Sequence, residues 1–156
     1  FRPIQICEDF LMTWVTAITS VVAATQASAS GKYNQAVYNR NAQVAEQEAA
    51  QIEKQTEFDL ARFDKQFAQL QGQTKTNILF SGAELSGSGL RILRQNAEEA
   101  ELEKDIIDYN AKIGKARKFE EANFARMQGS IARQQAKSTA LGYYATAGTS
   151  LLRAIE

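Results

Sequence analysis

Apolar residues recur at three- and four-residue steps over two long stretches of this chain, and one Gly/Ser-rich break separates them. In the first stretch Ile52, Thr56, Leu60, Phe63, Phe67 and Leu70 are spaced by four, four, three, four and three. That spacing puts them on one face of an α-helix. Upstream the same stretch offers only small apolar residues at helical spacing: Ala36, Val37, Val44, Ala45 and Ala49. Small residues permit close helix approach or a face turned to a water-filled lumen. In the second stretch Leu102, Ile106, Tyr109, Ile113 and Ala116 follow steps of four, three, four and three, and the pattern resumes at Phe124, Met127 and Ile131. The skip after Ala116 interrupts the heptad, so long, gently curved packing is expected in place of a uniform zipper seam. The break between the stretches reads Phe80-Ser-Gly-Ala-Glu-Leu-Ser-Gly-Ser-Gly89, a run of turn-forming residues.

The only proline is Pro3, which leaves the rest of the chain free to be helical. The expected fold is all-α: an elongated antiparallel hairpin of two long helices plus an uncharged N-terminal helix. The boundaries are an N-terminal segment at 1–31, a first long helix at 32–80, a turn at 81–89 and a second long helix at 90–156. The packing residues of the hairpin are Ile52, Leu60, Phe63, Phe67 and Leu70 on the first helix. On the second they are Leu102, Ile106, Tyr109, Ile113, Phe124 and Met127. Phe1 to Ile6 differ in character from the rest of the chain and carry no part of this expectation.

Charge is absent from both ends of the pattern. Phe10 to Gly31 is a run of 22 residues without a charge, and Ser138 to Leu152 is a second such run of 15. A membrane span needs about 20 predominantly apolar residues, and the first run is long enough but diluted by Thr, Ser and Gln. Glu8 and Asp9 precede it, where a signal peptide would carry basic residues. The run therefore reads as a packed helix of an assembly, with conditional membrane insertion as the alternative. In an antiparallel hairpin the two runs lie at the same end. The membrane or assembly contacts expected there are Trp14, Val15, Ile18, Val21 and Val22, together with Leu141, Gly142, Tyr143, Tyr144 and Gly148. The two glycines either loosen the helix or let another helix approach.

Between these ends the charges are arranged in blocks. Folding the chain about position 82 brings Glu46, Glu48 and Glu53 near Lys112, Lys115, Arg117 and Lys118. It also brings Arg62 and Lys65 near Glu98, Glu99, Glu101 and Glu103. Opposite signs meet in both blocks, and such exposed pairs set register more than stability. The second stretch is mostly acidic from Glu98 to Asp108 and mostly basic from Lys112 to Lys137, which suits a helix dipole.

Composition narrows the chemistry. Lysine plus arginine equal aspartate plus glutamate at 18 each, so no net field draws the chain to nucleic acid or acidic lipid. There is no histidine and one cysteine, Cys7. The usual zinc sites and Ser-His or Cys-His nucleophiles are therefore excluded. Ser86-Gly-Ser-Gly89 lacks the GxxxxGK[ST] pattern of a phosphate loop. The carboxylates Glu98, Glu99, Glu101, Glu103, Asp105 and Asp108 spread around a helix and read as a solvated face. The basic run Lys112, Lys115, Arg117, Lys118, Arg126, Arg133 and Lys137 is interrupted by Glu120 and Glu121, so a DNA contact is only weakly supported. Asn34 and Asn110, each after a tyrosine, are candidates for setting helix register. No cofactor and no enzymatic activity are expected.

The order of these features resembles the small internal virion, or ejection, proteins of short-tailed bacteriophages (internal virion protein B-like). The resemblance runs from about Cys7 to Ile155. It rests on the Cys7-Glu8-Asp9 start before an uncharged Thr/Ala/Val helix, on Tyr33-Asn-Gln-Ala-Val-Tyr-Asn-Arg-Asn-Ala-Gln-Val-Ala-Glu-Gln-Glu48, and on the Ser81-to-Gly89 break. It continues through Asp108-Tyr-Asn-Ala111, Arg133-Gln-Gln-Ala-Lys-Ser-Thr-Ala-Leu-Gly142 and Ala147-Gly-Thr-Ser-Leu-Leu152. The resemblance implies a homo-oligomeric protein packed inside the capsid near the portal and beside other internal virion proteins. It further implies that the protein leaves on infection and helps build a conduit across the host envelope, at the outer membrane. Two other readings fit the same pattern: a static portal- or tail-associated scaffold that never meets lipid, and a helical pore-forming or translocon component outside any phage.

Overall fold

In the computed structural model the chain forms two helices, α1 at Pro3–Phe80 and α2 at Ser88–Ile155. The backbone is described for residues 3–82 and 87–155, and side chains for residue 12 and residues 14–82 and 87–152. The side chains of Cys7 and Phe10, and the 83–86 part of the expected turn, lie outside the described residues. Among the described residues there is no strand. The expected separate N-terminal helix is instead part of α1, which runs through Gly31 and Lys32 without a break. Alanine, glutamine and glutamate on either side of Gly31 are strong helix formers, and one glycine costs only about 1 kcal/mol in such a helix.

Pro3 opens α1, at the position where its missing N–H costs nothing. The helix closes on a left-handed glycine: Gly82 has φ 72°. The Ser81 N–H donates to the Asn77 carbonyl at 3.0 Å and the Gly82 N–H to that of Leu79 at 3.2 Å. These bonds satisfy carbonyls that the helix end would leave bare. Gly87, at φ 67°, accepts the Arg91 N–H at 3.2 Å. Thus α2 starts at Ser88, two residues before its expected start.

The chain divides into two compact units, Phe1–Val44 with Ala122–Glu156 and Ala45–Glu121. Within each, a length of α1 lies against a length of α2 running the opposite way. In the first unit the contact surface is built from the smallest side chains. Ala17, Ala24 and Gly31 recur at seven-residue steps on α1 and are buried, as is Ala42. Facing them on α2 are buried Ala122, Gly129, Ala140 and Ala147. A Cβ on Gly31 would collide with the Cβ of Ala136, and one on Gly129 would lie 3.0 Å from Tyr38 Cβ. Two backbones meet here with no space for a side chain between them. Arg133 donates to Gln35 Oε1 at 2.6 Å and ties the two helices in this unit.

The second unit begins with the same device, at Ala45 and Ala49, and then changes. Ile52, Thr56, Leu60, Phe63 and Phe67 are half-buried. Ile52 Cδ1 lies against Gly114, within 3.6 Å of where a Cβ would stand. The rings of Phe63 and Phe67, one turn apart, stack with centroids 6.4 Å apart. Ala100 is buried on the α2 side.

Two features of the expected packing are corrected. Ala36, Val37 and Val44 are exposed, whereas Ala45 and Ala49 of the same expected face are buried and Tyr38 and Ala42 join them against the partner helix. More consequentially, Leu70, Leu102, Ile106, Tyr109, Phe124 and Met127 are exposed as well. Leu102, Ile106 and Tyr109 each stand two positions from a contact residue such as Ala100, Lys104, Ile107 or Ala111, which is about 200° around the helix, while Ile113, beside Gly114, is half-buried. The periodic apolar stripe of α2 is therefore its outer face. The inner face passes through Ala100, Lys104, Ile107, Ala111 and Gly114, a mixture of small, polar and apolar residues that hydropathy does not distinguish.

Among the described residues every buried apolar side chain is an alanine, and no larger side chain is fully buried. Each methyl contributes about 0.8 kcal/mol on burial, so the stability of each unit depends on closeness of approach. Replacing Gly31 with valine is expected to lower unfolding free energy by about 1–3 kcal/mol, the usual cost of overpacking a tight contact. Gly72 also lies inside α1 but has nothing within 4 Å of its would-be Cβ. Gly72→Ala is expected to raise stability by about 0.5–1 kcal/mol through helix propensity. Urea denaturation of the two variants, compared with the parent, reads both signs.

Candidate functional site

Two surfaces stand out among the described residues. The first surface is the charged one in the second unit. Lys118 Nζ lies 2.7 Å from Glu48, Lys115 2.7 Å from Glu53, and Lys104 2.8 Å from Asp64. The first two pairs join residues that the charge blocks had brought together, with the centre of folding one or two positions beyond 82. The third reverses the expected polarity: an acid on α1 meets a base on α2, where Arg62 and Lys65 had been matched to Glu98 and Glu101. Helical phase explains this. Lys104 is half-buried on the inner face of α2 and reaches the exposed Asp64, one turn on from contact residue Leu60, whereas Arg62, Lys65, Glu98 and Glu101 are exposed and lie further around their helices from the contact. Lys112 is paired within α2, 2.6 Å from Asp108. Glu46 also has a polar interaction.

These pairings shape the titration of two lysines. The hydrogen bond to Asp108, reinforced by its charge and that of Asp105, raises the Lys112 pKa. Hydrogen bonds to Glu48 and then Glu121 push Lys118 up to about 12. The basic run read as a weak DNA contact thus has Lys112, Lys115 and Lys118 already engaged with carboxylates of the same chain.

The second surface is apolar. In the first unit Trp14, Val15, Ile18, Val21 and Val22 are all exposed, as are Leu141, Tyr143 and Tyr144. Gly142 and Gly148 lie inside α2 with open space where a Cβ would be, so neither serves contact within the chain. The hydroxyls interleaved with these residues turn back on their own helices. Thr19 donates to the Val15 carbonyl at 2.9 Å, Ser20 to Thr16 at 2.7 Å, and Thr146 to Gly142 at 3.0 Å. Such back-bonding satisfies the hydroxyl without water. Among the described residues no helix is long and apolar enough to cross a membrane.

Tyr33, Asn34, Tyr109 and Asn110 are exposed, and the polar tie across the first unit is Gln35 to Arg133 instead. Gln35 is one of many glutamines in the chain, so no spacing marks it out. Among the described residues no group of three or more His, Cys, Asp or Glu side chains stands close enough to hold a metal. An open groove beside the stacked rings, lined by Phe63, Phe67, Leu70, Asn96 and Ala100 among others, brings together no nucleophile with a base.

No protein-family model, no curated protein and no solved structure matches this chain.

The alkaline behaviour of Lys118 follows from its pairing. Its folded pKa of about 12 exceeds the ordinary 10.5. The contribution of Lys118 is therefore complete below about pH 10.5 and is lost as pH rises through about 12. The difference in melting temperature between the parent protein and Lys118→Met is expected to hold at neutral pH and to close in that alkaline window. Thermal melts monitored by circular dichroism across the range read it directly.

Proposed function

We propose that this chain is an internal virion protein of the ejection class carried by short-tailed bacteriophages. It works as a homo-oligomeric subunit that travels in the capsid near the portal and helps form a conduit across the host envelope. The reading draws on the sequence resemblance and on one observation: among the described residues the chain fully buries only alanines of its apolar side chains and exposes most of its large ones. Trp14, Ile18, Leu102, Ile106, Phe124, Leu141 and Leu152 all face outward. Exposed apolar surface of this extent marks contact with other proteins or with lipid. An assembly subunit gains its hydrophobic free energy between chains, and catalysis plays no part in the role. Other internal virion proteins and the portal are the partners of this reading inside the particle. The host outer membrane is the partner after ejection.

A static portal- or tail-associated scaffold is the second reading. It is favoured by the lack, among the described residues, of a helix long and apolar enough to span a bilayer. An ejected wall escapes that objection if several chains present apolar faces to lipid together, with the polar and charged faces turned inward.

Two measurements separate these roles. Full particles are expected to contain the chain, and particles emptied by receptor-triggered ejection are expected to lack it. Retention in emptied particles would favour the static scaffold, and absence from full particles would end both phage readings. Trp14 is the only tryptophan, so its emission has a single source. With liposomes it is expected to shift to the blue and be quenched from the lipid side; emission indifferent to lipid would make the uncharged run a protein contact.

A further inference from the structure

Within the second unit, the outer face of α2 carries a short apolar stripe of Leu102, Ile106, Tyr109 and Ile113. The first three are exposed by 62%, 45% and 63%, and Ile113 at the end of the stripe is half-buried. Their steps of four, three and four are those of a helix-pairing seam. The charges beside the stripe are not symmetric along it. One flank carries Glu98, Asp105 and Lys112 at seven-residue intervals, and the other carries Glu103, Asn110 and Arg117. Each flank is acidic toward the N-terminal end of the stripe and basic toward the C-terminal end.

We infer that this face binds the same face of a second copy of the chain, with the two α2 helices antiparallel about a two-fold axis near Tyr109. The inference rests on the assembly reading above and names its contact. In an antiparallel pair each flank faces its own counterpart, so Asp105 meets Lys112 of the other copy and Glu103 meets Arg117. The two-fold axis repeats both matches. In a parallel pair opposite flanks face each other, which sets Lys112 against Arg117 and Glu98 against Glu103. Like charges at such positions oppose association and set the orientation of helix pairs. A self-complementary patch of this kind is what an isologous interface requires. Lys112 is exposed and now reaches Asp108 one turn back on its own helix, so a second carboxylate from the other copy adds to that pairing without burying a bare charge. Tyr109, at the axis, brings two rings together where aromatic area contributes most to an interface.

The test is sedimentation equilibrium on the full chain. Asp105→Lys leaves that flank basic, and Lys112→Asp leaves it acidic. Each variant alone is expected to self-associate roughly tenfold or more weakly than the parent. An equimolar mixture of the two is expected to associate like the parent. In the mixed pair the lysine introduced at position 105 of one variant faces the aspartate introduced at position 112 of the other. A second measurement does not depend on charge. In a Cys7→Ser background, Tyr109→Cys is expected to form a symmetric disulfide under mild oxidation, while Phe119→Cys does not. If the single variants sediment like the parent, or their mixture is no tighter than either, or Tyr109→Cys fails to cross-link, the assigned face is wrong. If the parent is still oligomeric in that case, the assembly reading stands with a different contact. A parent that stays monomeric at every concentration overturns both.

Discussion

Close approach of two helix backbones is the constraint on which the rest of this structure depends. In the first unit Gly31 lies so near Ala136 that any side chain would force the helices apart. Ala17, Ala24, Ala42, Ala122, Ala140 and Ala147 keep the same close fit above and below it. The device gives many short-range contacts and little buried area per residue. It therefore leaves most of the larger apolar side chains described in these lengths of helix to face outward, Tyr38 against Gly129 being an exception. A leucine seam would hold the helices further apart, bury those side chains and leave a mostly polar exterior. The alanine seam does the reverse.

Polar groups provide register where methyl groups cannot. An alanine run is nearly uniform along its length, so sliding one helix past the other costs little in apolar contact. The ion pairs of Lys118, Lys115 and Lys104 with Glu48, Glu53 and Asp64 remove that freedom in the second unit. Arg133 with Gln35 does so in the first. All are at least partly exposed and individually weak. Their role is to make one register better than its neighbours. In the second unit Ile52, seated against Gly114, and the stacked Phe63 and Phe67 add shape to the same end.

An interior of alanine and an exterior bearing tryptophan, leucine, isoleucine and phenylalanine describe a component more than a finished body. The proposed role in a phage conduit and the proposed α2 pairing both follow from that inversion. Each assigns the outward side chains a surface to meet, protein or lipid. The hydroxyls of the uncharged runs, bonded back to their own helices, lower the cost of either environment.

The sequence by itself determined that the chain is all-α, that its helices part at the Gly/Ser break, and that Glu48 and Glu53 oppose Lys118 and Lys115. Helical periodicity, the turn preference of glycine and the blocks of opposite charge are local or pairwise properties, and each is legible in order along the chain. It also placed Ile52, Leu60, Phe63 and Phe67 on the face that meets α2. The tertiary structure decided which face of α2 turns inward. Leu102, Ile106 and Tyr109 form the strongest hydrophobic pattern in that helix, and hydropathy alone makes them its core. They are displaced because Ala100, Ala111 and Gly114 allow the backbones to come closer than leucine and tyrosine would. Closeness of approach depends on both helices at once, so no pattern within one of them reports it. The same reason hid the reversed pair of Asp64 with Lys104 and the bond from Arg133 to Gln35, whose partners are set by helical phase across the contact.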